Sequence, residues 1–354
     1  MSPVGKPPAT IFDIAAAAGV SIATADRAVN RRKGVAEKTA ERVLAAAERL
    51  DWRPNPAAQS LSRRAVMALD VVLPSPSNPF MQQLVDSVAA AREAFQAFRI
   101  APRAHVVPEL DAASLAEQLL TMQERPEGIA LLGLQHPLIV AAIDQLERSG
   151  TPVVTLVSDV LGSTRRAYVG VDNHAAGCAA GALLGRFVGK AGGPVAIFAG
   201  TPLYTDIIQR QSGFLETVRA RFPTLVPQPS VWNVEDDAHS YEVAKDMLRQ
   251  RGDLAGIYVA GGGQLGVATA LEESGRAQDV AMIAHDIFGP LAHLLRDGTV
   301  DVAINQNPDV QVTRALQLLT RLGDRLQPVS QFTHTAIDIC IAETLPSEAG
   351  DGTA

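Results

Sequence analysis

The chain has 354 residues, 47% of them hydrophobic, and a formal net charge of −7 at pH 7. No apolar run approaches the ~18 residues that cross a bilayer, and the N-terminal stretch lacks the apolar core of a secretory signal, so we expect a cytoplasmic protein with no membrane partner. The two cysteines, Cys178 and Cys340, lie far apart in apolar surroundings, which predicts free thiols and neither a disulfide nor a metal site.

The first 64 residues predict three short helices joined by tight turns. Thr10 can cap a first helix with one apolar face, and Gly19 suits the left-handed conformation at the end of that helix. Ser21 can cap a second helix, Ile22–Val29, and the apolar rhythm returns in a third helix near Lys38–Leu50. A helix, a glycine turn, a second helix and a bracing helix form the arrangement that places a recognition helix in the major groove of DNA.

The charge of this segment favours DNA binding over the alternative, a small helical bundle with no nucleic-acid partner. Residues 1–64 contain eleven Lys or Arg and six Asp or Glu, a net charge of +5 in a chain of −7. A basic head on an acidic body is what attraction to phosphates requires. The run Arg31-Arg32-Lys33 follows the second helix, where a DNA backbone would pass.

A hinge is predicted at about residues 54–64. Pro54-Asn55-Pro56 ends the helical segment, and the eight residues from Ala57 to Arg64 are too few for a stable isolated helix. The predicted domains are therefore a DNA-binding head with its hinge at 1–64 and an effector-binding body at 66–345. The tail, residues 346–354, is predicted to be disordered.

In the body, short apolar runs rich in branched residues alternate with helical segments. This alternation predicts an α/β fold of parallel sheets wound with helices on both faces. The predicted strands are 65–73, 129–134, 153–157, 167–171, 195–199, 256–260, 280–284 and 300–304. The predicted helices include 81–98, 112–124, 137–149, 175–188, 209–222, 240–250, 265–274 and 290–296.

Polar side chains follow several of these strands, where ligands of such sheets bind. The candidate effector-binding residues are Asn78, Phe80, Ser158, Asp159, Arg210, Asp286 and Gln306. Amides, carboxylates and one arginine beside an aromatic ring suit a sugar or polyol, because hydroxyls take paired hydrogen bonds and a ring can stack on a sugar. Each residue alone is also explained as a cap or turn residue. Asp172 and Asn173 in particular can serve only to cap the helix that starts near residue 175.

The N-terminal segment resembles the DNA-binding head of the lactose-repressor (LacI) family of bacterial transcription regulators. The stretches IFDIAAAAGVSIATADRAVN, VAEKT and RPNPAAQSL carry this resemblance, in order and spacing. It implies base reading by Ile22, Ala23 and Arg27. It implies phosphate contacts by Thr10, Ser21, Thr24, Asn30 and Thr39. It also implies a hinge helix in the minor groove that includes Asn55, Ala58 and Leu61, with Leu61 as a wedge between base pairs.

The chemistry of the recognition residues agrees with those roles. Arg27 can donate two hydrogen bonds to a guanine edge, whereas Ile22 and Ala23 offer only apolar contact, for instance to a thymine methyl group. Asp26 departs from the small hydroxyl residue that is usual in the family, and a carboxylate is repelled by phosphates. The operator sequence therefore stays open.

Residues 66–345 resemble the type I periplasmic sugar-binding fold, which the same family uses as its effector domain. The stretches NPF, GVDNHAAG, RQSGF, GGGQLGVATALEESG, AHD and INQNPD match in order. The resemblance implies sugar contacts by Phe80, Asp159, Arg210, Asp286 and Gln306. It implies an N-lobe at about 66–169 and 302–334 and a C-lobe at about 170–301 and 335–345. Val259 departs from the ligand-binding Asn of many relatives, and Gln264 is a possible substitute.

The leading hypothesis is a homodimeric repressor, or a tetramer, whose grip on a palindromic operator depends on a small sugar or polyol. A transport receptor for sugars would explain the body but not the basic head. A carbohydrate-active enzyme needs two carboxylates across a cleft, and Asp159 with Asp286 could be mistaken for such a pair. Arg210 and the nearby amides suit static hydrogen bonding better, so we expect no enzyme. No cofactor is expected, because Gly261-Gly262-Gly263 lacks the G-x-G-x-x-G pattern with its downstream acid.

Overall fold

The computed structural model describes residues 9–29, 34–50, 52, 66–74, 79–107, 111–122, 124–232, 235–324 and 330–346. Some predicted features lie outside these residues: Asn30, the run 31–33, the hinge with Asn55, Ala58 and Leu61, Asn78, and nearly all of the tail. Within the described ranges, no helix has both the length and the apolar character needed to cross a membrane. Both cysteines are free thiols.

The N-terminal residues form three helices around a small core of their own, and the predicted second helix is confirmed. The three helices are Ile11–Ala18, Ile22–Val29 and Glu37–Arg49. Thr10 caps the first helix in a capping box with Asp13, and Gly19 ends it at a φ of 63°. Arg42 of the third helix donates a 2.8 Å hydrogen bond to the carbonyl oxygen of Ala18, so the third helix braces the first.

The body is built on two sheets of six strands each among the described residues. The strands are β1 Met67–Pro74, β2 Ile100–Val107, β3 Gly128–Leu131, β4 Val153–Leu156, β5 Ala167–Gly170, β6 Gly193–Phe198, β7 Leu225–Pro227, β8 Gly256–Val259, β9 Ala281–His285, β10 Val302–Asn305, β11 Phe332–His334 and β12 Asp338–Cys340. The first sheet has the order β11-β5-β4-β3-β1-β2 and the second β12-β10-β9-β8-β6-β7. All neighbouring pairs are parallel except β10 with β12.

Helices connect the strands, as expected for parallel sheets. They span Pro79–Gln96, Ala112–Thr121, Pro137–Arg148, Asn173–Val188, Thr205–Arg221, Asp237–Gln250, Gln264–Glu273, Gly289–Arg296 and Pro308–Gly323. The inner strands are buried along nearly their whole length, which is why they appear in the sequence as short unbroken apolar runs. The fold class is the predicted one: an N-terminal helix-turn-helix head followed by a two-lobed α/β body.

The chain crosses between the two lobes three times, and one crossing differs from the prediction. We expected residue 302 to open the return to the N-lobe. Instead β10, residues 302–305, pairs with β9 in the second sheet, and the return comes at Gln306 and Asn307. The helix Pro308–Gly323 then packs on the first sheet. The crossing is therefore later, because β10 pairs with β9 in the second sheet before the chain leaves it.

Candidate functional site

The second helix of the head has one buried and one exposed face. Ala25 and Ala28 are buried in the core of the head, whereas Ile22 is 46% exposed and Ala23 and Arg27 are exposed as well. The three predicted base-reading residues therefore lie on the solvent side of this helix. An apolar side chain, a methyl group and a guanidinium on one free face are suited to contact the edges of base pairs.

Those predicted phosphate-contacting residues that the structure describes lie near helix N-termini, which attract anions. Ser21 caps the second helix, because its Oγ accepts a 3.1 Å hydrogen bond from the backbone N–H of Thr24. Thr10 caps the first helix and donates a 2.6 Å hydrogen bond to Asp13. Thr39 lies half-buried in the first turn of the third helix. Asn30, Asn55, Ala58 and Leu61 lie outside the described residues.

A pocket with an empty volume of about 370 Å³, its open mouth included, lies between the two lobes. The N-lobe contributes Phe80, Met81, Leu132 and Val157. The C-lobe and the crossing contribute Tyr204, Asp206, Ile207, Arg210, Glu235, Gly261, Gln264, Asp286 and Gln306. The described N-lobe wall is thus apolar, and the opposite wall carries the charges. This division suits a ligand with one apolar face and one face rich in polar groups.

Arg210 is the central cation of the pocket, and its side chain is only 2% exposed. Its Nε donates to Asn173 and its Nη1 to the carbonyl oxygen of Ala260, both at 2.8 Å. Its Nη2 lies 3.4 Å from a carboxylate oxygen of Asp206 but has no hydrogen-bond partner among the described residues. The guanidinium is therefore fixed by two bonds, and its remaining edge is available to a ligand.

Asp206 precedes Arg210 by one helical turn at the start of the helix Thr205–Arg221. Burial raises the pKa of its carboxyl group, and the nearby guanidinium lowers it. One oxygen, Oδ1, is buried and has no hydrogen-bond partner in the part of the chain that the structure describes. A buried acceptor of this kind costs about 1–3 kcal/mol when it is left unpaired, so it favours a ligand that donates.

Asp286 and Gln306 face each other where β9 and β10 end. The Gln306 amide donates to both carboxylate oxygens of Asp286, at 3.0 and 3.1 Å. Asp286 has a φ of 64°, and its backbone N–H donates to the carbonyl oxygen of Ile304. Burial raises the pKa of Asp286 to about 6. Such backbone strain and a shifted pKa are typical of functional positions.

The structure brings four predicted effector residues into one pocket, namely Phe80, Arg210, Asp286 and Gln306. Asn78 lies outside the described residues. Asp172 caps the helix Asn173–Val188, because its carboxylate accepts a hydrogen bond from the backbone N–H of Ala175. This is the capping role that the sequence predicts as the alternative to ligand binding.

Ser158 and Asp159 are not among the residues that line the pocket, so their role as ligand contacts stays a prediction. The Asp159 carboxylate pairs with both Nε and Nη2 of Arg165 and accepts a 2.6 Å hydrogen bond from Thr155. Ser158 accepts a 3.0 Å hydrogen bond from the backbone N–H of Thr205, so it ties the N-lobe to the C-lobe. Asp159 therefore does not line the described pocket together with Asp286.

Four lining residues with polar side chains were not in the predicted set: Tyr204, Asp206, Glu235 and Gln264. Gln264, the suggested substitute for the missing Asn, donates to the carbonyl oxygen of His285 at 3.2 Å. The Glu235 carboxylate accepts a hydrogen bond from the backbone N–H of Gly262. The backbone of Glu235 itself has a φ of 63°. Asp206 alone could have been inferred, since it lies four residues before Arg210, the spacing of an ion pair on one helix face.

Two further hydrogen bonds join the lobes, in addition to those that Ser158 and Asp159 make with Thr205. The Gln83 amide of the N-lobe donates to the carbonyl oxygen of Ile287 in the C-lobe at 2.6 Å. The backbone N–H of Gln135 donates to the carbonyl oxygen of Leu203 at 2.8 Å. These contacts hold the lobes together across the cleft in this conformation.

Comparison with known protein families gives a match for each of the two parts of the chain. Residues 68–325 match the periplasmic binding protein domain, and residues 10–55 match the bacterial regulatory proteins of the lacI family. Among solved structures, a glucose-galactose binding protein from Geobacillus stearothermophilus has a TM-score of 0.73 and 22% identity, over 80% of this chain and all of that one. At this identity the likeness concerns the fold alone.

Curated relatives are regulators, and the similarity to them is partial. The chain is 31% identical over 145 residues to catabolite control protein A of Streptococcus mutans, which is 41% of this chain and 42% of that protein. It is 46% identical over 76 residues to the ribose operon repressor of Bacillus subtilis, 22% of this chain and 23% of the repressor. The matches thus span less than half the length of these relatives.

Proposed function

We propose a function from one premise: the chain belongs to the lacI family of bacterial regulatory proteins, with a periplasmic binding protein domain as its body. On this premise it is a cytoplasmic, sequence-specific DNA-binding repressor controlled by a sugar or polyol between its lobes. The observation that carries the control is a set of three buried polar atoms at the cleft that have no hydrogen-bond partner within the described part of the chain: Nη2 of Arg210, Oδ1 of Asp206 and Oε1 of Gln306. A ligand rich in hydroxyls satisfies such atoms.

The head would bind DNA as two copies on a palindromic operator. Ile22, Ala23 and Arg27 share the exposed face of the second helix, and the bracing third helix fixes the orientation of that face. We assign base reading to these three residues and phosphate contacts to Thr10, Ser21, Thr24, Asn30 and Thr39. The hinge residues Asn55, Ala58 and Leu61 are assigned to the minor groove.

The effect of ligand binding would be transmitted to the DNA-binding head by a change in the closure of the lobes. The cleft is closed by bonds such as that from Gln83 to Ile287, and a bound ligand adds contacts to both walls. The ligand therefore changes the balance between open and closed lobes, and with it the spacing of the two heads in a homodimer or tetramer. By linkage, operator DNA must change the affinity for the ligand by the same factor.

The test uses the full-length protein. Duplexes are selected from a random pool by the protein, and the best sequence serves as the operator in fluorescence anisotropy at fixed salt. A panel of sugars and cyclic polyols is first screened by thermal shift, because a ligand that binds the folded state stabilises it. We expect an operator to be selected, and a stabilising sugar to change its Kd by about tenfold, a coupling of ~1.4 kcal/mol.

Three outcomes contradict the proposal. Sugar binding without affinity for any duplex at low salt would instead support a sugar receptor with no regulatory role. Selective DNA binding that no sugar or polyol alters would remove the effector from the proposal. Turnover of a sugar by the pure protein would support the enzyme alternative.

A further inference from the structure

The polar wall of the cleft has an excess of negative groups. Three carboxylates, those of Asp206, Glu235 and Asp286, line the pocket together with one guanidinium, that of Arg210. The described residues of the opposite wall are apolar and supply no cation. When these groups are ionised, the wall as a whole is negative and attracts a cationic ligand more strongly than a neutral one.

The three carboxylates lie close enough to influence the same groups. The pKa of the buried Tyr204 hydroxyl is raised by burial and further by Glu235 and Asp206. Asp206 also contributes to the raised pKa of Asp286, after the larger effect of burial. All three carboxylates also line the same pocket, and we refer to them together as its acidic surface.

The atoms without partners on this wall are mostly acceptors. Oδ1 of Asp206 and Oε1 of Gln306 are buried acceptors with no hydrogen-bond partner among the described residues, and these two side chains belong to residues that are 5% and 1% exposed. Nη2 of Arg210 is the matching donor. A ligand that fills this surface has to donate more hydrogen bonds than it accepts, which an ammonium group does with three N–H donors and no acceptor.

The backbone around Glu235 makes room for its carboxylate. A Cβ atom at Gly200 would lie 1.8 Å from Oε1 of Glu235, and one at Gly261 would lie 2.6 Å from it. The backbone N–H of Gly262 donates to the other oxygen, Oε2. Because Gly200 and Gly261 have no Cβ atom, the Glu235 carboxylate can lie at the wall of the pocket. The sequence predicts neither a strand nor a helix at Glu235.

We propose that the effector is a sugar or polyol that carries a protonated amino group, with the ammonium on the acidic surface of Asp206, Glu235 and Asp286. The ring of the ligand lies with its apolar face on Phe80 and Leu132, and its hydroxyls meet Arg210. This inference rests on the proposed function and narrows the class of ligand for the same site.

The experiment compares matched pairs of ligands on the full-length protein at pH 6.5, where amino sugars are protonated. D-glucosamine, D-galactosamine and D-mannosamine are each tested against the parent hexose and the N-acetyl derivative by thermal shift and then by titration calorimetry. An amino-substituted inositol is paired with myo-inositol in the same way. We expect at least one amine to bind about tenfold or more tightly than its neutral partner, a difference of ~1.4 kcal/mol.

Two variants locate the effect. Glu235→Gln keeps the size of the side chain and removes one charge, so it should weaken the binding of the amine about tenfold more than it weakens the binding of the neutral sugar. Glu216→Gln is the matched control, because this glutamate is 68% exposed and does not line the pocket. The affinity of Glu216→Gln for the amine should equal that of the original chain.

The outcomes separate the two proposals. Binding of a neutral sugar in preference to its amine, or equal loss of both ligands in Glu235→Gln, would overturn the amine inference and leave the sugar-controlled repressor intact. If no member of either set stabilises the protein, both the amine and the sugar effector are rejected.

Discussion

Gly177 lies against the backbone carbonyl of Arg210, so closely that a Cβ atom at position 177 would be 2.0 Å from that oxygen. The contact joins the helix Asn173–Val188 to the helix Thr205–Arg221, which carries Arg210 into the cleft. The position of the pocket cation thus depends on the absence of a side chain on a neighbouring helix.

Gly177→Ala should therefore destabilise the protein and weaken ligand binding together. The obstacle is backbone and not a movable side chain, so the two helices must separate, at a cost of about 3 kcal/mol. Urea unfolding measures the loss of stability, and calorimetry with the ligand measures the loss of affinity. Gly289→Ala is the control, because a Cβ there meets nothing within 4 Å. Unchanged stability of Gly177→Ala would show that the helices tolerate the separation.

Arg210 and Asp206 form a buried pair, so removal of one partner should cost more than removal of both. Arg210→Met leaves the Asp206 carboxylate without its cation and should reduce the free energy of unfolding by about 3–5 kcal/mol. The double variant with Asp206→Asn should recover part of this loss. A double-mutant cycle from urea unfolding at pH 7.5 measures the coupling. Additive effects of the two substitutions would contradict a direct interaction.

Asp286 should make the protein less stable as the pH rises from about 4 to about 6. Its pKa is raised to about 6 by burial, so in this window the folded state binds more protons than the unfolded state, and stability falls with increasing pH. Asp286→Asn should remove this slope and stabilise the ligand-free protein at pH 7.5 by on the order of 2 kcal/mol. Oε1 of Gln306 has no hydrogen-bond partner among the described residues. In Asp286→Asn the new amide can donate to this oxygen once the carboxamide of Gln306 flips.

The measurement is urea unfolding of the ligand-free protein at pH 4.5, 6.0 and 7.5. Asp144→Asn should change stability in the opposite direction and destabilise the protein. Hydrogen bonds from Thr164 lower the pKa of Asp144, so its ionised form is the stabilising one. Should Asp286→Asn be less stable than the original chain at pH 7.5, the ionised carboxylate would be stabilising and our assignment of the burial effect would be wrong.

The head could be predicted from the sequence almost residue by residue, because its signals are local. Thr10, Ser21 and Gly19 mark helix ends by hydrogen bonds and dihedral angles that involve only near neighbours. The edge strand β2 was not predicted. Pro102 and Arg103 interrupt its apolar pattern, and its pairing with β1 depends on residues far away in the chain.

The pocket was predictable where a side chain follows the end of an inner strand, as Asp286 does. The direction of a side chain was not predictable. Asp159 also follows a strand, yet it turns to Arg165, whose position is set by tertiary packing. Glu235 follows no predicted strand, and only the folded chain brings it beside Gly261. Contacts between distant segments thus decided which polar residues face the cleft.

Gln83→Ala should favour open lobes. The substitution removes the 2.6 Å hydrogen bond to the carbonyl oxygen of Ile287, a loss of about 1 kcal/mol from the closed state. Ligand affinity should fall about fivefold, since the ligand must then drive a less populated closed state. The radius of gyration from small-angle scattering should rise without ligand and return with it. Gln82→Ala is the control, because the Gln82 amide donates to Asp86 on an exposed face of the same helix and, among the described residues, makes no bond to the other lobe. Equal affinities of the two variants would exclude a closing role for Gln83.

Arg27→Ala and Lys38→Ala should weaken DNA binding in different ways. Arg27 is exposed on the second helix, so its loss should relax discrimination at one base pair of each half-site by about 1–3 kcal/mol. Lys38 is exposed at the start of the third helix, and its loss should weaken operator and random DNA about equally while the salt slope falls by about one. Anisotropy titrations over a set of single-base operator variants at three salt concentrations measure both effects. Because the free face of the second helix also carries Ile22 and Ala23, which cannot donate hydrogen bonds, Arg27 is its only guanine reader among the three. An equal loss of affinity for every sequence in Arg27→Ala would therefore transfer it from base reading to phosphate contact.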